Sequence, residues 1–339
     1  MEAADVIVLG LGPAGASAAA AAARAGCDVI ALDRKREAGL PVQCAEFVPA
    51  MLEVGAHAVR QQIDSMLTFV EDDAPDLKAD FPGRMLDRAA FDASLVEAAR
   101  RAGARIRFSS LVARITAQGL VELADGSTLR AAVIVGADGP RSRAGKAIGS
   151  VNTALVETRQ ITVPLLAPHC AADIFLSADV PGGYGWLFPK RELANLGAGV
   201  EPPHKARLKP IVSRLHSRLA REGRVGGEVL ELTGGPIPVG GMLKPWGRLE
   251  RALVLLAGDA AGLANPVTGA GIAAAVYSGR LAGEAAATGM AAQEYQEELE
   301  DLFKAALERA ARRRRELMTS SREKAALRRG WIAYPEYWR

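Results

Sequence analysis

The sequence predicts an α/β fold in which a nucleotide-binding domain is interrupted by a β-rich insert and followed by C-terminal helices. Three observations carry this. The chain opens with a strand–helix–strand unit whose first turn is glycine-rich. Its middle third is richer in Pro and Gly and breaks into short strand-like runs. The opening pattern then returns near residue 250. With 339 residues, 49% of them hydrophobic, the chain has material for a sizeable core and, by length, about two domains.

The elements follow in order. "DVIVLG" is a short apolar run ending in glycine, "ASAAAAAARAG" is strongly helical, and "DVIALD" is a second strand ending in an acid. "LDRAAFDASLVEAARRAGA" reads as a long helix with Asp87 at its start and Gly103 at its end, and "ARIRFSS" resumes strand character. The stretch from Leu111 to Gly139 reads as a meander with a hairpin turn at Asp125–Gly126, closed by the buried strand "AVIVG". "RALVLLAGD" restores the first pattern, so the nucleotide-binding domain is discontinuous. The expected divisions are 1–150 and 248–290 for that domain, 151–247 for the β-rich substrate domain, and 291–339 for a basic helical segment.

Composition excludes several classes. Three cysteines (Cys27, Cys44, Cys170) without a CxxC pair rule out a disulfide framework and a thiolate zinc site and suit a reducing cytoplasm. The N-terminus has no basic region, and its apolar run is broken by glycines and a proline, so neither a signal peptide nor a membrane span is expected. No GxSxG, HExxH or P-loop occurs, and His57, His169, His204 and His216 lack pair spacing for a metal or triad. Residues 301–339 hold eleven Lys/Arg against five Asp/Glu, so the net charge of +3 hides a basic tail. Its run Arg312–Arg315 either meets an anionic membrane face or phosphorylated ligand, or is a solvated helix face. No nucleic acid partner is implied.

The chemistry begins at "GLGPAG". Gly10 permits a tight turn, Gly12 lets a pyrophosphate approach the backbone, and Gly15 lets helix and strand pack closely. Asp33, 18 residues after Gly15 at the end of the next strand, is placed to accept from ribose hydroxyls. A second strand end, glycine-rich loop and helix start lies at 258–286, and two such turns suit one long, extended dinucleotide, FAD. These motifs resemble FAD-dependent reductases and hydroxylases of the p-hydroxybenzoate-hydroxylase type. That resemblance implies a Rossmann-like FAD-binding domain of glutathione-reductase type, with Asp259 on the ribityl chain and the Gly271–Ile272 helix start at the flavin's pyrimidine edge. Backbone N–H groups there stabilise the negative charge of reduced flavin. "GADGPRS" matches a third motif, implying Asp138 and Gly139 near the dinucleotide; a strand-ending turn is the competing reading.

In "GGYGWLFPK", Tyr184, Trp186 and Phe188 alternate and so share one strand face, suited to a flat apolar ligand, a flavin edge or ordinary core packing. With "PVQCAE" early and "GDAAGLANPVTGAGI" late, the order of motifs resembles the geranylgeranyl reductase family of flavoproteins over roughly residues 4–290. The resemblance implies a hydride passed from reduced FAD to a carbon–carbon double bond of an apolar, isoprenoid-like substrate, with NAD(P)H or another reductant as donor. It also implies Arg88 as an FAD contact and Ala14, Arg34, Cys44, Ala45 and Val112 beside the cofactor. The chain departs from the pattern at Ala270, where members commonly carry glutamate. Two other functions share these motifs: a flavin-dependent monooxygenase, and a non-catalytic FAD-binding partner protein. Cys44 has three candidate roles: redox dithiol, turn filler, or substrate-side proton donor together with Glu46, with Tyr184 and Trp186 completing the catalytic set.

Overall fold

The computed structural model describes residues 1–320 and 323–339. Val6, Ile7, Val8 and Leu9 are all at most 1% exposed, as a strand covered on both faces requires. That strand, Glu2–Leu9, runs parallel between Thr128–Gly136 and Val29–Leu32, and Arg105–Arg107 extends the parallel set. Leu253–Leu256 returns to the same sheet, parallel to the last part of Thr128–Gly136. The hairpin of Val112–Ile115 and Leu120–Leu123 pairs with the first part of that long strand.

Helix Pro13–Arg24 is almost wholly Ala and Gly because another helix, Ile272–Thr288, lies directly on it. A Cβ on Gly279 would stand 2.0 Å from the Ala14 carbonyl oxygen, and one on Gly283 would stand 2.3 Å from that of Ala18. The run of small residues is thus the condition for two backbones to touch, not merely a helical preference. Asp87 caps helix Arg88–Arg101 by accepting from Ala90 N at 2.9 Å.

A second sheet is mostly antiparallel. It runs Glu231–Thr233, Leu155–Pro164, Leu193–Val200, Gly185–Lys190, Ala171–Leu176. It continues into Ser65–Val70 and Asp76–Lys78, two strands from inside the first 150 residues; Ser65–Val70 pairs parallel with Ala171–Leu176. Helix Leu208–Arg221 covers one face, burying Ile161, Val163, Leu196 and Val200. A small three-stranded sheet, Phe47–Pro49, Gly83–Leu86 and Val59–Ile63, packs against strand Gly185–Lys190 of the second sheet.

The C-terminal part comprises helix Ala292–Leu299, a π-turn at Glu300–Lys304, helix Ala305–Ser320 and helix Lys324–Arg329. It folds back on the second sheet: Trp331 is 2% exposed and donates its indole N–H to Met66 Sδ at 3.3 Å. Lys324 and Arg328 pair with Asp73, and the Tyr334 hydroxyl donates to Asp76 at 2.6 Å. Within the basic run, Arg314 is buried and donates to the Pro266 carbonyl, while Arg313 donates to the carbonyls of Glu336 and Tyr337. Arg312–Arg315 is therefore not one continuous outward cationic face: Arg313 holds the chain end, and Arg314 ties its helix to Pro266. Among the described residues no helix is long and apolar enough to cross a membrane.

Candidate functional site

Parallel strands end at one edge of the sheet, and the loops leaving that edge make a crevice. The glycine turn follows Glu2–Leu9, Asp33 follows Val29–Leu32, Asp138 follows Thr128–Gly136, and Asp259 follows Leu253–Leu256. Together with the second sheet these loops enclose a cavity of about 1500 Å³. Gly10, Gly12, Ala14, Asp33, Arg34, Val112, Asp138 and Gly139 line its nucleotide-binding end. Arg88, Asp259, Gly271 and Ile272 line it further on, and Cys44, Ala45, Glu46, Tyr184 and Trp186 line it beside the second sheet. Gly15 does not line it. A Cβ there would fall 1.8 Å from the Gly10 carbonyl oxygen, so Gly15 serves the packing of helix on turn.

Local chemistry explains each group at the sheet edge. Gly10 has φ of +91°, open to glycine at little cost, and a Cβ would lie 2.3 Å from the Ala137 oxygen. Asp33 ties the turn to the next strand, accepting from Leu11 N and Lys35 N at 2.8 Å each, and each oxygen keeps a further lone pair. Asp138 is spent differently: its oxygens accept from the Ser142 hydroxyl and from the amides of Arg143 and Ala144. Burial raises its carboxyl and these donors pull it back, so Asp138 holds the first turn of helix Arg143–Ala147, which Ser142 caps, while lining the crevice.

Asp259 is the opposite case. Among the described residues no donor reaches its carboxyl, and burial raises it to about 6, with the charge of Arg88 pulling the other way. Gly271 makes room for it, since a Cβ there would sit 3.3 Å from Asp259 Oδ1. Arg88 grips Asp92 with two hydrogen bonds of 2.9 Å, and its guanidinium lies close enough to the Cys44 side chain for the two to interact electrostatically.

Around Cys44 and Glu46 the side chains form a connected set. Cys44 Sγ accepts from Glu46 N at 3.2 Å, and its carbonyl accepts from Gln160 Nε2 at 3.0 Å. Gln160 in turn accepts from the Trp186 indole at 3.0 Å. Glu46 is 3% exposed and takes a left-handed φ of +69°, rare for a residue with a Cβ. Its carboxylate holds that shape: Oε1 accepts from Arg88 N at 3.1 Å, and Oε2 from Asn195 Nδ2 at 2.9 Å and from the Lys190 ammonium. Three donors on its two oxygens make this carboxylate a clamp on the loop, which weighs against the expectation that Glu46 hands a proton to substrate.

Tyr184, Trp186 and Phe188 share one face, as the alternation predicts, and Trp186 and Phe188 lie with ring centroids 6.3 Å apart. The Tyr184 hydroxyl donates to the Thr268 carbonyl, and burial pushes it up, so it too is a poor proton donor. Phe47 from the small sheet and Trp331 from the tail close the aromatic wall, the latter 4.8 Å from Tyr184 between centroids. Gln160, Lys190, Asn195 and Trp331 escape the sequence reading. A signal existed for the last of them: four of the final nine residues are Trp or Tyr in a chain that is 5% aromatic.

Comparison with known proteins agrees with this geometry. Residues 3–171 match the family of the FAD binding domain. The chain is 33% identical over 305 residues to digeranylgeranylglycerophospholipid reductase 1 of Methanopyrus kandleri, covering 83% of this chain and 80% of that one. It is 34% identical over 308 residues to reductase 2 of the same organism, covering 84% and 76%. Among solved structures, a geranylgeranyl bacteriochlorophyll reductase-like protein of Thermoplasma acidophilum aligns with a TM-score of 0.84 at 23% identity, covering 96% of this chain and 90% of that one. A probable FAD-dependent monooxygenase of Pseudomonas aeruginosa shares the fold at a TM-score of 0.71 and 16% identity, covering 96% and 98%.

The crevice fits the dinucleotide that such a domain holds. A Cβ on Gly12 would meet nothing within 4 Å, so the helix start faces open space of the kind a pyrophosphate needs, and the unpartnered Asp259 carboxyl is available to ligand hydroxyls. A relative one-third identical along most of both chains, on a fold whose crevice fits the cofactor, settles the matter: the chain belongs to the geranylgeranyl reductase family of FAD-dependent oxidoreductases.

Proposed function

We propose that this protein reduces a carbon–carbon double bond in an isoprenoid-like lipid, at the end of the cavity walled by Tyr184, Trp186, Phe188 and Trp331. The observation that supports it most is the juxtaposition of that aromatic wall with the Cys44 thiol in one cavity. Reduced FAD, when bound, supplies the hydride, and the chain's own residues supply position, dryness and a proton.

Gly10, Gly12 and the helix start after them would hold the pyrophosphate, Asp33 the adenosine ribose, and Asp259 the ribityl hydroxyls. The start of helix Ile272–Thr288 would face the flavin's pyrimidine edge. The aromatic wall packs a flat apolar alkene and excludes water, which stops hydride and proton from being lost to solvent. One alkene carbon takes the hydride and the other must take a proton. With Glu46 held by three donors and the Tyr184 hydroxyl tied to a carbonyl, Cys44 is the donor we assign to it, and water admitted once the product leaves reprotonates the sulfur. Arg88, beside Cys44, stabilises the negative charge left on sulfur. Gln160 and Trp186 fix the backbone that carries the thiol, which makes them positioning residues.

The test is anaerobic incubation of dithionite-reduced, FAD-loaded protein with prenyl and cyclic alkenes, read by mass spectrometry for a gain of two hydrogens. Gain on prenyl alkenes supports the assignment. Flavin that stays reduced with every alkene but is reoxidised by oxygen with hydroxylation of an aromatic would replace it by the monooxygenase reading.

A further inference from the structure

We propose that Arg159, Lys205 and Lys209, with Arg141 beside them, form a binding site for a phosphate ester at the edge of the same cavity, around the sheet from the aromatic wall. The inference deepens the reductase reading and rests on it only for the source of the ester.

The register of the second sheet separates two faces. Gln160 points with Trp186 toward the aromatic wall, while Glu157, Arg159 and Ile161 point to the side covered by helix Leu208–Arg221. Lys205 and Lys209 stand at the start of that helix, and all of these cations line the cavity. Glu157 organises two of them, with Oε1 accepting from Arg141 at 2.8 Å and Oε2 pairing with Lys205 at 2.9 Å. Arg159 and Lys209 have no acidic partner among the described residues, and Arg159 is half-buried. Of the four cations, Arg141 and Lys205 are thus paired with that carboxylate and Arg159 and Lys209 are not. A half-buried guanidinium in a cavity wall without a carboxylate is an unfavourable arrangement unless an anion neutralises it. A guanidinium fork backed by ammonium groups is the donor set that suits phosphate oxygens. The cofactor's own pyrophosphate has its cradle at Gly10–Gly12, so this is a second phosphate position. Two ligands of the proposed reaction carry such a group: an alkene bearing a phosphate head, and a nicotinamide dinucleotide donor.

Inorganic pyrophosphate titrated calorimetrically into the FAD-loaded protein tests the site directly. Binding that weakens with added salt, and weakens at least about tenfold in Arg159→Gln/Lys209→Gln while Arg159→Lys, which keeps the charge without the fork, loses less, is the expected result. Unchanged flavin absorbance and melting temperature in the double variant check that it is folded. Equal binding by parent and double variant, or none by the parent, overturns the site. This titration needs no turnover, so it stands even if no alkene is reduced. Two further arms find the source. With dithionite as reductant, loss of preference for a prenyl phosphate over its alcohol assigns the site to substrate. Slower flavin reduction by NADPH, with dithionite reduction unchanged, assigns it to the donor. Loss on neither arm also overturns the site.

Discussion

The two ends of the cavity are made by different means. At the nucleotide-binding end, the working groups are backbone: a positive-φ glycine, an open glycine and helix-start amides, with Asp33 only one strand further along. At the reacting end they are side chains carried by separate segments, with Cys44 and Glu46 on one loop, Gln160, Trp186, Lys190 and Asn195 on three strands, and Trp331 in the tail. A backbone site tolerates almost no added atoms but needs few neighbours in particular. A side-chain site depends on every partner being present.

The largest effect expected from this contrast lies within the glycine turn. Gly15→Val drives carbon into the Gly10 carbonyl, and the protein should lose more than about 4 kcal/mol or fail to fold. Gly12→Ala, whose Cβ has open space, should fold with a near-parental melting temperature and yet bind FAD more weakly. If thermal unfolding and flavin content respond alike in both variants, the division between packing glycine and ligand glycine is wrong.

At the other end, Lys190→Met leaves Glu46 buried without its ammonium, at a cost of about 3 kcal/mol. Glu46→Gln combined with Lys190→Met should recover part of that loss, and a double-mutant cycle by urea unfolding measures the coupling. Additive losses would mean that the clamp is not a unit.

Asp259 joins the two ends and gives a pH signature. Its folded pKa, about 6, lies above the ordinary 3.8, so the folded state holds a proton that the unfolded state has released. Without FAD, stability should therefore fall as pH rises from about 4 to 6, by on the order of 3 kcal/mol, and stay lowered above that. Asp259→Asn should flatten that slope while weakening FAD. A parental slope in the variant would assign the effect to another group.

The smallest effect is kinetic. Cys44→Ala should keep FAD and its reduction by the donor, and slow reoxidation by alkene about tenfold, near 1.4 kcal/mol of barrier. Stopped-flow absorbance reads both halves, and equal reoxidation rates in variant and parent would leave Cys44 as a small residue in a turn.

What could be read from the chain alone follows the same contrast. The strand, glycine turn, helix and terminal acid of the opening unit were legible because each lies within a few residues of the next, and local sterics fix them. The alternation of Tyr184, Trp186 and Phe188 fixed their common face for the same reason. The motifs also carried the family and its cofactor.

The tertiary structure decided the rest. That Asp259 is left open, that Glu46 is clamped by Lys190 and Asn195, and that Arg313 is tied to the chain end and Arg314 to Pro266 depend on parts of the chain distant in sequence. So does the pairing of Ser65–Val70 with Ala171–Leu176, a parallel contact between strands about a hundred residues apart. A residue's type and its neighbours in sequence limit what it can donate or accept. Whether a carboxylate is saturated, buried or free is set by which distant groups the fold brings within about 3 Å of it.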